Sequence, residues 1–185
     1  MKEKKIAKRY AKALFDLAVE QNILEKIKAD AMLVNSVCVS NRDFMLVLRS
    51  PVIKDVKKIK IIKDIFGDKV QKMTLVFLNI ITRNRREAFV PEITTQFIEI
   101  YKEYKNIITA HLTTAVKLDS GISTKINSLL KEQTKAEIEL HEDVNESIIG
   151  GFVLEFDEKQ YDASVVKYLQ NLRKEFDKNL YTKGL

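Results

Sequence analysis

Apolar residues recur every three or four positions through the first 105 residues of the chain, which is the spacing of one face of an α-helix. Breaks in this pattern divide the region into six segments. The apolar stripes of the six predicted helices begin at Ile6, Leu24, Phe44, Val56, Val70 and Phe89. Six consecutive amphipathic helices with short connections predict a helix bundle.

The fifth predicted helix, at about residues 70–83, differs from the other five. Its apolar side chains between Met73 and Ile81 spread around most of the helix circumference. A helix that is apolar on nearly every side is normally buried on nearly every side. We therefore expect this helix either to lie at the centre of the bundle or to keep one face for a partner.

Near Asn106 the apolar period changes from that of a helix to that of a strand. Apolar and polar residues alternate over residues 108–116 and again over 136–140. A third apolar run, residues 148–156, reads as a buried strand. One helical stripe follows the first strand, and a last helix is predicted over residues 165–176, so the predicted order is β-α-β-β-α.

Gly150 and Gly151 form the only pair of adjacent glycines in the chain, and they lie inside the third apolar run. Glycine within a strand usually marks a bulge or the close approach of another backbone segment. The glycine and lysine spacing of a phosphate-binding loop is absent from the sequence. A structural role is therefore expected for the pair, with Asp162 placed to cap the last helix.

Together these patterns predict a mostly α chain, in which an N-terminal six-helix bundle is followed by a small α/β domain. The domains are expected at residues 1–105 and 106–185, joined without a Gly-, Pro- or Ser-rich linker. The overall net charge of +6 divides into +9 for the first domain and −3 for the second. Opposite net charges suggest that the two domains have different partners.

Few side chains offer catalytic or metal-binding chemistry. His111 and His141 fall on the polar faces of two predicted strands that a sheet can bring side by side, but a metal site needs at least one further ligand. Cys38, the only cysteine, lies on an apolar helix stripe, which favours a buried thiol over a nucleophile. We expect no metal site, no cofactor and no active site.

Two basic clusters leave a second class of function open. Lysines interleave with the apolar stripe of the fourth helix from Lys54 to Lys63, and Arg83, Arg85 and Arg86 follow the fifth helix. Such clusters can bind nucleic acid, although lysines on an amphipathic helix are also typical of a solvated face. A basic helical nucleic-acid-binding protein is therefore the alternative hypothesis.

Two separated stretches carry a resemblance to a known family. The first is IAKRYAKALFDLA, which begins at Ile6, and the second joins the glycine pair to the YDASV segment that opens the last helix. Between them, Ser50-Pro51 and an FLxxIxxNxR segment beginning at Phe77 follow in the same order. The ordered set resembles the delta subunit of bacterial F-type ATP synthase, the counterpart of the mitochondrial oligomycin-sensitivity-conferring protein. One departure is Asp157, where that family usually has a glycine.

The resemblance implies a stator subunit without an active site, which links the catalytic head to the peripheral stalk during proton-driven ATP synthesis. It implies that the bundle receives an N-terminal helix of an alpha subunit in a groove between its first and fifth helices. The second domain would meet the C-terminus of stalk subunit b. The implied location is the cytoplasmic face of the bacterial inner membrane, with membrane contact only through the complex and no nucleic-acid partner.

The resemblance also carries over individual residues. Tyr10 and Ile80 are its groove residues. Neighbours inferred from helical spacing alone are Ala11, Leu14, Phe77 and Asn84. For each of these neighbours, ordinary bundle core is the competing interpretation. The structural motif of the second domain is Gly150, Gly151, Asp162 and Ser164.

Overall fold

The computed structural model describes residues 2–117, 120–156 and 159–177. The chain divides into two compact units, Met1–Tyr104 and Lys105–Leu185, which we call unit 1 and unit 2. Asp157, the departure from the family pattern, lies outside the described residues. The mostly α architecture, with a six-helix bundle followed by a small α/β unit, is confirmed.

Unit 1 contains the six predicted helices. They are α1 (Lys2–Glu20), α2 (Leu24–Ser40), α3 (Arg42–Arg49), α4 (Asp55–Phe66), α5 (Lys72–Arg83) and α6 (Val90–Lys105), with a 3₁₀ turn at Glu87–Phe89 before α6. The start of α3 is fixed locally, because the Asn41 side chain accepts a hydrogen bond from the Phe44 backbone N–H at 3.0 Å. Its end is fixed by Ser50, which is extended before Pro51.

The core of unit 1 draws on every helix except α1 for its most deeply buried large side chains. These are Ile27, Val34, Leu48, Ile62, Phe66, Ile81, Thr82, Ile93 and Phe97. Helix α1 contributes three fully buried alanines, Ala7, Ala11 and Ala18, together with the slightly more exposed Leu14 and Phe15. Alanines at a helix–helix contact let the backbones approach closely, so α1 lies tightly against the rest of the bundle.

The start of α5 is capped by a residue from another helix. Gln71 at its N-cap forms no side-chain capping bond. Instead the Asp30 carboxylate of α2 accepts hydrogen bonds from the Gln71 N–H at 2.7 Å and from the Thr74 hydroxyl at 2.6 Å. A carboxylate at a helix N-terminus satisfies free N–H groups and interacts favourably with the helix dipole. Asp30 therefore fixes the position of α5 relative to α2.

A buried ion pair connects three segments of unit 1. The Lys58 ammonium of α4 donates to the Leu48 carbonyl at the end of α3 at 2.7 Å and to the Glu87 carboxylate in the 3₁₀ turn. The two charged side chains are 3% and 8% exposed. Among the described residues, the second carboxylate oxygen of Glu87 has no hydrogen-bond partner. Each charge in this pair therefore depends on the other for compensation.

We predict that Lys58→Met lowers the free energy of unfolding of unit 1 by about 3–5 kcal/mol, because it leaves Glu87 buried without a counter-charge. The double variant Lys58→Met/Glu87→Leu should recover most of that loss, since it removes both charges at similar volume. Urea unfolding measures both effects, and Lys57→Met on the exposed face of α4 is the control. A double variant as unstable as the single one would contradict this account of the pair.

In the part of unit 2 that the structure describes, a four-stranded sheet is accompanied by two helices. Its elements are β1 (Ile107–Thr114), α7 (Ser120–Thr134), β2 (Glu137–Val144), a 3₁₀ turn at Glu146–Ile148, β3 (Phe152–Phe156), β4 (Lys159–Asp162) and α8 (Val165–Asp177). The strand order is β2-β1-β3-β4. Strands β1 and β2 are parallel, as expected for a β-α-β unit, whereas β1–β3 and β3–β4 are antiparallel.

Alternation along the strands gives the sheet two different faces. One face carries the buried cluster of unit 2, which is Ala110, Leu112, Leu130, Ile138 and Leu154. Leu130 belongs to α7, so this is the face that α7 covers. The other face carries polar residues, among them His111 and His141, which are directly paired across β1 and β2. The sequence prediction that these two histidines lie on neighbouring strands is confirmed.

Three details of unit 2 differ from the sequence prediction. The strand predicted over residues 148–156 begins only at Phe152, because Ile149 adopts a left-handed conformation with φ of 66°. The glycine pair therefore precedes the strand. Strand β4 was not predicted, since all four of its residues are exposed and give no apolar alternation. Asp162 is not the N-cap of α8; that residue is Ser164, whose hydroxyl oxygen accepts from the Lys167 N–H at 3.1 Å.

The glycine pair joins the sheet to α8. Gly151 has φ of +76°, and a Cβ there would lie 2.2 Å from the Ala163 carbonyl oxygen. The Gly150 carbonyl accepts a hydrogen bond from the Val165 N–H, the first residue of α8, at 2.9 Å. Asp162 accepts from the Ser164 N–H at 3.0 Å, and hydrogen bonds from Ser164 lower the pKa of the Asp162 carboxyl. The four motif residues thus form one joint.

We predict that Gly151→Ala destabilises unit 2 by at least about 2 kcal/mol, because the new methyl group meets a backbone carbonyl and φ is strained. Gly150→Ala is the matched control. Its Cβ would lie 3.1 Å from a Val165 methyl group, which can shift. Thermal unfolding followed by unit-specific NMR signals measures both variants, and equal losses would contradict the assigned role of Gly151.

Candidate partner-binding groove

Three of the sequence-predicted groove residues meet where α1 faces α5. The ring of Tyr10 lies edge-on to the ring of Phe77, with centroids 6.5 Å apart and an interplanar angle of 65°. The Asn84 side-chain amide donates a long hydrogen bond of 3.5 Å to the Tyr10 hydroxyl. Phe77 and Asn84 are seven residues apart, so Tyr10 spans two turns of α5.

A left-handed turn after α5 adds a cation to this cluster. Arg85 has φ of 56°, and the N–H groups of Arg86 and Arg85 donate to the carbonyls of Ile81 and Thr82, both at 3.0 Å. This is the Schellman pattern of a helix C-terminus. It brings the Arg86 guanidinium to 5.6 Å from the Tyr10 ring centroid, a cation–π distance. The ring of Tyr10 is thus held by contacts from the middle of α5 and from the turn that follows its C-terminal end.

Ala11 and Leu14 have a different position from the other predicted groove residues. Their exposed fractions are 0% and 4%, which makes them part of the bundle core. Leu14 and Phe77 line the same small internal cavity, together with Leu78 of α5. Ala11 and Leu14 therefore form the floor beneath the groove, and a partner would reach Tyr10, Phe77, Ile80 and Asn84 first.

Apolar side chains remain open above that floor. Leu17 of α1 is 46% exposed, and Val76 and Ile80 of α5 are 50% and 48% exposed. With the partly buried Tyr10 and Phe77 they form what we call the α1–α5 strip. Helix α5 is therefore not buried on every side. Of the two expectations from the sequence, the structure agrees with the second, in which α5 keeps one face open.

Sequence reasoning missed two residues of the strip, Leu17 and Val76. Helical spacing was a sufficient signal for both. Leu17 follows Tyr10 by seven residues and Val76 precedes Ile80 by four, so each shares a helix face with a residue that was selected.

One residue of each basic cluster makes a specific contact within the bundle. Lys58 of α4 is buried in the ion pair with Glu87, which the interleaved pattern did not reveal. Arg86 contacts the ring of Tyr10. Lys57, Lys60 and Lys63 are exposed on α4, as expected for a solvated helix face.

The histidine pair and the cysteine are candidates for metal binding and for nucleophilic reactivity, respectively. His111 and His141 stack with ring centroids 5.2 Å apart, and Glu139 Oε1 lies 3.6 Å from His141 Nε2. Within the described residues no three His, Cys, Asp or Glu side chains are arranged to hold a metal ion. Burial, with a smaller contribution from Glu92, raises the pKa of the Cys38 thiol to about 12, so it is not a nucleophile near neutral pH.

We predict that Cys38 reacts with a thiol reagent at about pH 8 at least roughly 100-fold more slowly in the native chain than in the urea-unfolded chain. Both burial and the scarcity of thiolate act in this direction. Stopped-flow or spectrophotometric labelling measures the two rates. A native rate close to the unfolded rate would show that α2 opens readily and that Cys38 is not held in the core.

Comparison with known proteins identifies the family. The family model described as ATP synthase delta (OSCP) subunit matches residues 6–176 of the chain. The chain belongs to the ATP synthase delta (OSCP) subunit family. It is 37% identical over 181 residues to the ATP synthase subunit delta of Christiangramia forsetii, covering 98% of both chains. It is 34% identical over 176 residues to that of Cytophaga hutchinsonii, covering 95% of this chain and 96% of the relative.

A solved structure supports the fold. A chain in the cryo-EM structure of the Toxoplasma gondii mitochondrial ATP synthase hexamer superposes with a TM-score of 0.71 at 24% identity. The match covers 94% of this chain and 98% of the other. At this identity the likeness concerns the fold, which extends over both units.

Family membership fixes the coarse role of the chain. It is a structural subunit in the stator of an F-type ATP synthase, it assembles with other subunits of that complex, and the catalytic sites lie in those other subunits. Through the complex it associates with the membrane peripherally. Among the described residues no single helix is long and apolar enough to cross a membrane, and only the α2–α3 pair, bent by 96°, reaches that length and composition together.

Proposed function

We propose that the chain links the catalytic head of an F-type ATP synthase to its peripheral stalk, so that the head does not turn with the rotor. Unit 1, close to the predicted domain 1–105, binds the N-terminal helix of an alpha subunit in the α1–α5 strip. Unit 2, close to the predicted domain 106–185, meets the C-terminus of stalk subunit b. The similarity to bacterial delta subunits supports a location at the cytoplasmic face of the inner membrane.

The observation that carries the proposal is the half-exposed apolar strip between two helices. Leu17, Val76 and Ile80 are each about half exposed, and they adjoin the fixed aromatic pair of Tyr10 and Phe77. An amphipathic helix that lays its apolar face into such a groove needs anchors at helical spacing. The strip provides such anchors on both α1 and α5. The buried side chains beneath it keep these two helices at a fixed separation.

The size of the strip is consistent with tight binding by a helix. Completing the burial of three half-exposed aliphatic side chains contributes roughly 1 kcal/mol each. Contacts of Tyr10 and Phe77 and the apolar face of the partner add to this. A nanomolar complex corresponds to about −12 kcal/mol. A stator contact has to last through many turns of the rotor, so slow dissociation is the property that the preformed groove supplies.

We predict that Tyr10→Ala and Ile80→Ala each weaken binding of a peptide copying the N-terminal helix of the alpha subunit by about 10- to 100-fold. Tyr10→Ala removes a ring that contacts Phe77 and Arg86, and Ile80→Ala removes a side chain that is half exposed and apolar. Isothermal titration calorimetry with the full chain measures the affinity. The matched control is Val39→Ala, an exposed aliphatic residue on α2.

Circular dichroism should show native helix content in all three variants, which separates lost binding from lost folding. Wild-type affinity in both Tyr10→Ala and Ile80→Ala would contradict the assignment of the strip as the binding groove. An equal loss in Val39→Ala would place the peptide on a different face of the bundle.

A further inference from the structure

Helix α8 carries an apolar stripe that is largely exposed. Val165, Leu169 and Phe176 are 38%, 51% and 85% exposed, and Leu172 on the same face is partly buried. These residues are spaced at i, i+4, i+7 and i+11, so they form one continuous face. A helix of this length, 13 residues, is only marginally stable in water unless its apolar face is packed.

An apolar groove of matching character lies in the same unit. On the face of the sheet that α7 covers, an open cavity of about 540 Å³ remains over β3 and β4. Its apolar lining residues are Ile126, Leu130, Phe152, Leu154, Phe156 and Tyr161. The rings of Phe152 and Tyr161 are 6.0 Å apart and form one end of the groove. Like the stripe of α8, the groove remains open.

The two surfaces are joined by a short tether and have similar lengths. Strand β4 ends at Asp162 and α8 begins at Val165, so two residues connect them. Connections of this length commonly let a helix fold back across the preceding strand. The stripe from Val165 to Phe176 is about 16 Å long, and β3, from Phe152 to Phe156, is about 14 Å long.

The backbone beside this tether is strained. Ile149 is a β-branched residue with φ of 66° and ψ of −40°, a strained conformation for such a side chain. Its neighbour Gly150 accepts the hydrogen bond that anchors the first turn of α8. Strain of this kind clusters at switch regions. The strained residue therefore lies in the segment that leads from the sheet into α8, where a change of backbone conformation would redirect the helix.

We propose that α8 is a strap that closes over the groove on β3 and β4, placing Leu169, Leu172 and Phe176 against the apolar face of the sheet. The structure shows the open arrangement. In the closed arrangement α8 runs antiparallel to β4 and lies beside α7, and its opposite face, with Lys167 and Lys174, stays in solvent. The strap concerns unit 2 alone and does not depend on what the α1–α5 strip binds.

Disulfide trapping in the full chain tests the closed arrangement. In a Cys38→Ala background, the pair Lys159→Cys and Phe176→Cys joins the far end of the groove to the far end of the stripe. The control pair, Lys159→Cys with Lys174→Cys, uses the opposite face of α8 and nearly the same loop length. We expect the first pair to form its disulfide at least about tenfold faster under a mild oxidant. Equal rates, or a faster control, would overturn the strap.

Hydrogen exchange provides a second test that needs no cross-link. A closed strap should protect the amides of α8, and Leu169→Ser should reduce that protection at least about tenfold, whereas Gln170→Ser on the exposed side of α8 should not. Mass spectrometry of peptides from residues 165–177 measures the effect, and protection of β1 shows that unit 2 is folded. Unprotected amides in the unmodified chain, or equal effects of the two variants, would also overturn the proposal.

Discussion

The packing of α1 against α5 is the constraint on which the candidate groove depends. Where α1 meets α5, the side chains on the inner side have to close the bundle core, while those on the outer side leave an apolar strip exposed. Ala11 and Leu14 of α1 lie on the core side of this contact, where they are 0% and 4% exposed. Leu14 and Leu78 then fill the space beneath, and Tyr10 and Phe77 meet at the rim. The buried side chains beneath and the exposed ones above belong to the same two helices, so the fit of the core and the geometry of the groove cannot vary independently.

The same reasoning explains why buried polar contacts occur in a bundle of this size. Helix α5 forms one wall of the strip, and its start is fixed by the Asp30 carboxylate of α2 rather than by a local cap. The Lys58–Glu87 pair fixes α4 and the turn before α6 in a similar way. Such contacts add little net stability compared with apolar packing, but they select one arrangement of the helices. A groove held in one arrangement loses less entropy when a partner binds.

The sequence was informative wherever apolar periodicity was strong. It predicted the six helices and the change to strands near Asn106, and it allowed β1 and β2 to be neighbours. It failed where the signal is non-local or absent. Asp30 and Lys58 look like ordinary surface residues, since their partners lie 41 and 29 residues away along the chain. Strand β4 has only exposed residues and is defined by its pairing with β3. The run before β3 has the composition of a strand, but the left-handed Ile149 and the approach of the Ala163 carbonyl to Gly151 interrupt it. For the groove, the family resemblance supplied Tyr10, helical spacing added Phe77 and Asn84, and only the exposed fractions separated the rim from the floor.

The two units present apolar surface in physically different ways. In unit 1 the strip is continuous with a packed core, so a partner would meet a surface that is already formed. In unit 2 the apolar stripe of α8 and the groove on β3 and β4 can satisfy each other, and a partner for either surface has to compete with the strap. The apparent affinity of such a partner falls in proportion to the fraction of chains that are open; a hundredfold preference for the closed form lowers it about a hundredfold. The segment with Ile149 and Gly151 leads into α8, and the Gly150 carbonyl binds the first N–H of that helix. The glycine pair therefore lies where the direction of α8 relative to the sheet is determined.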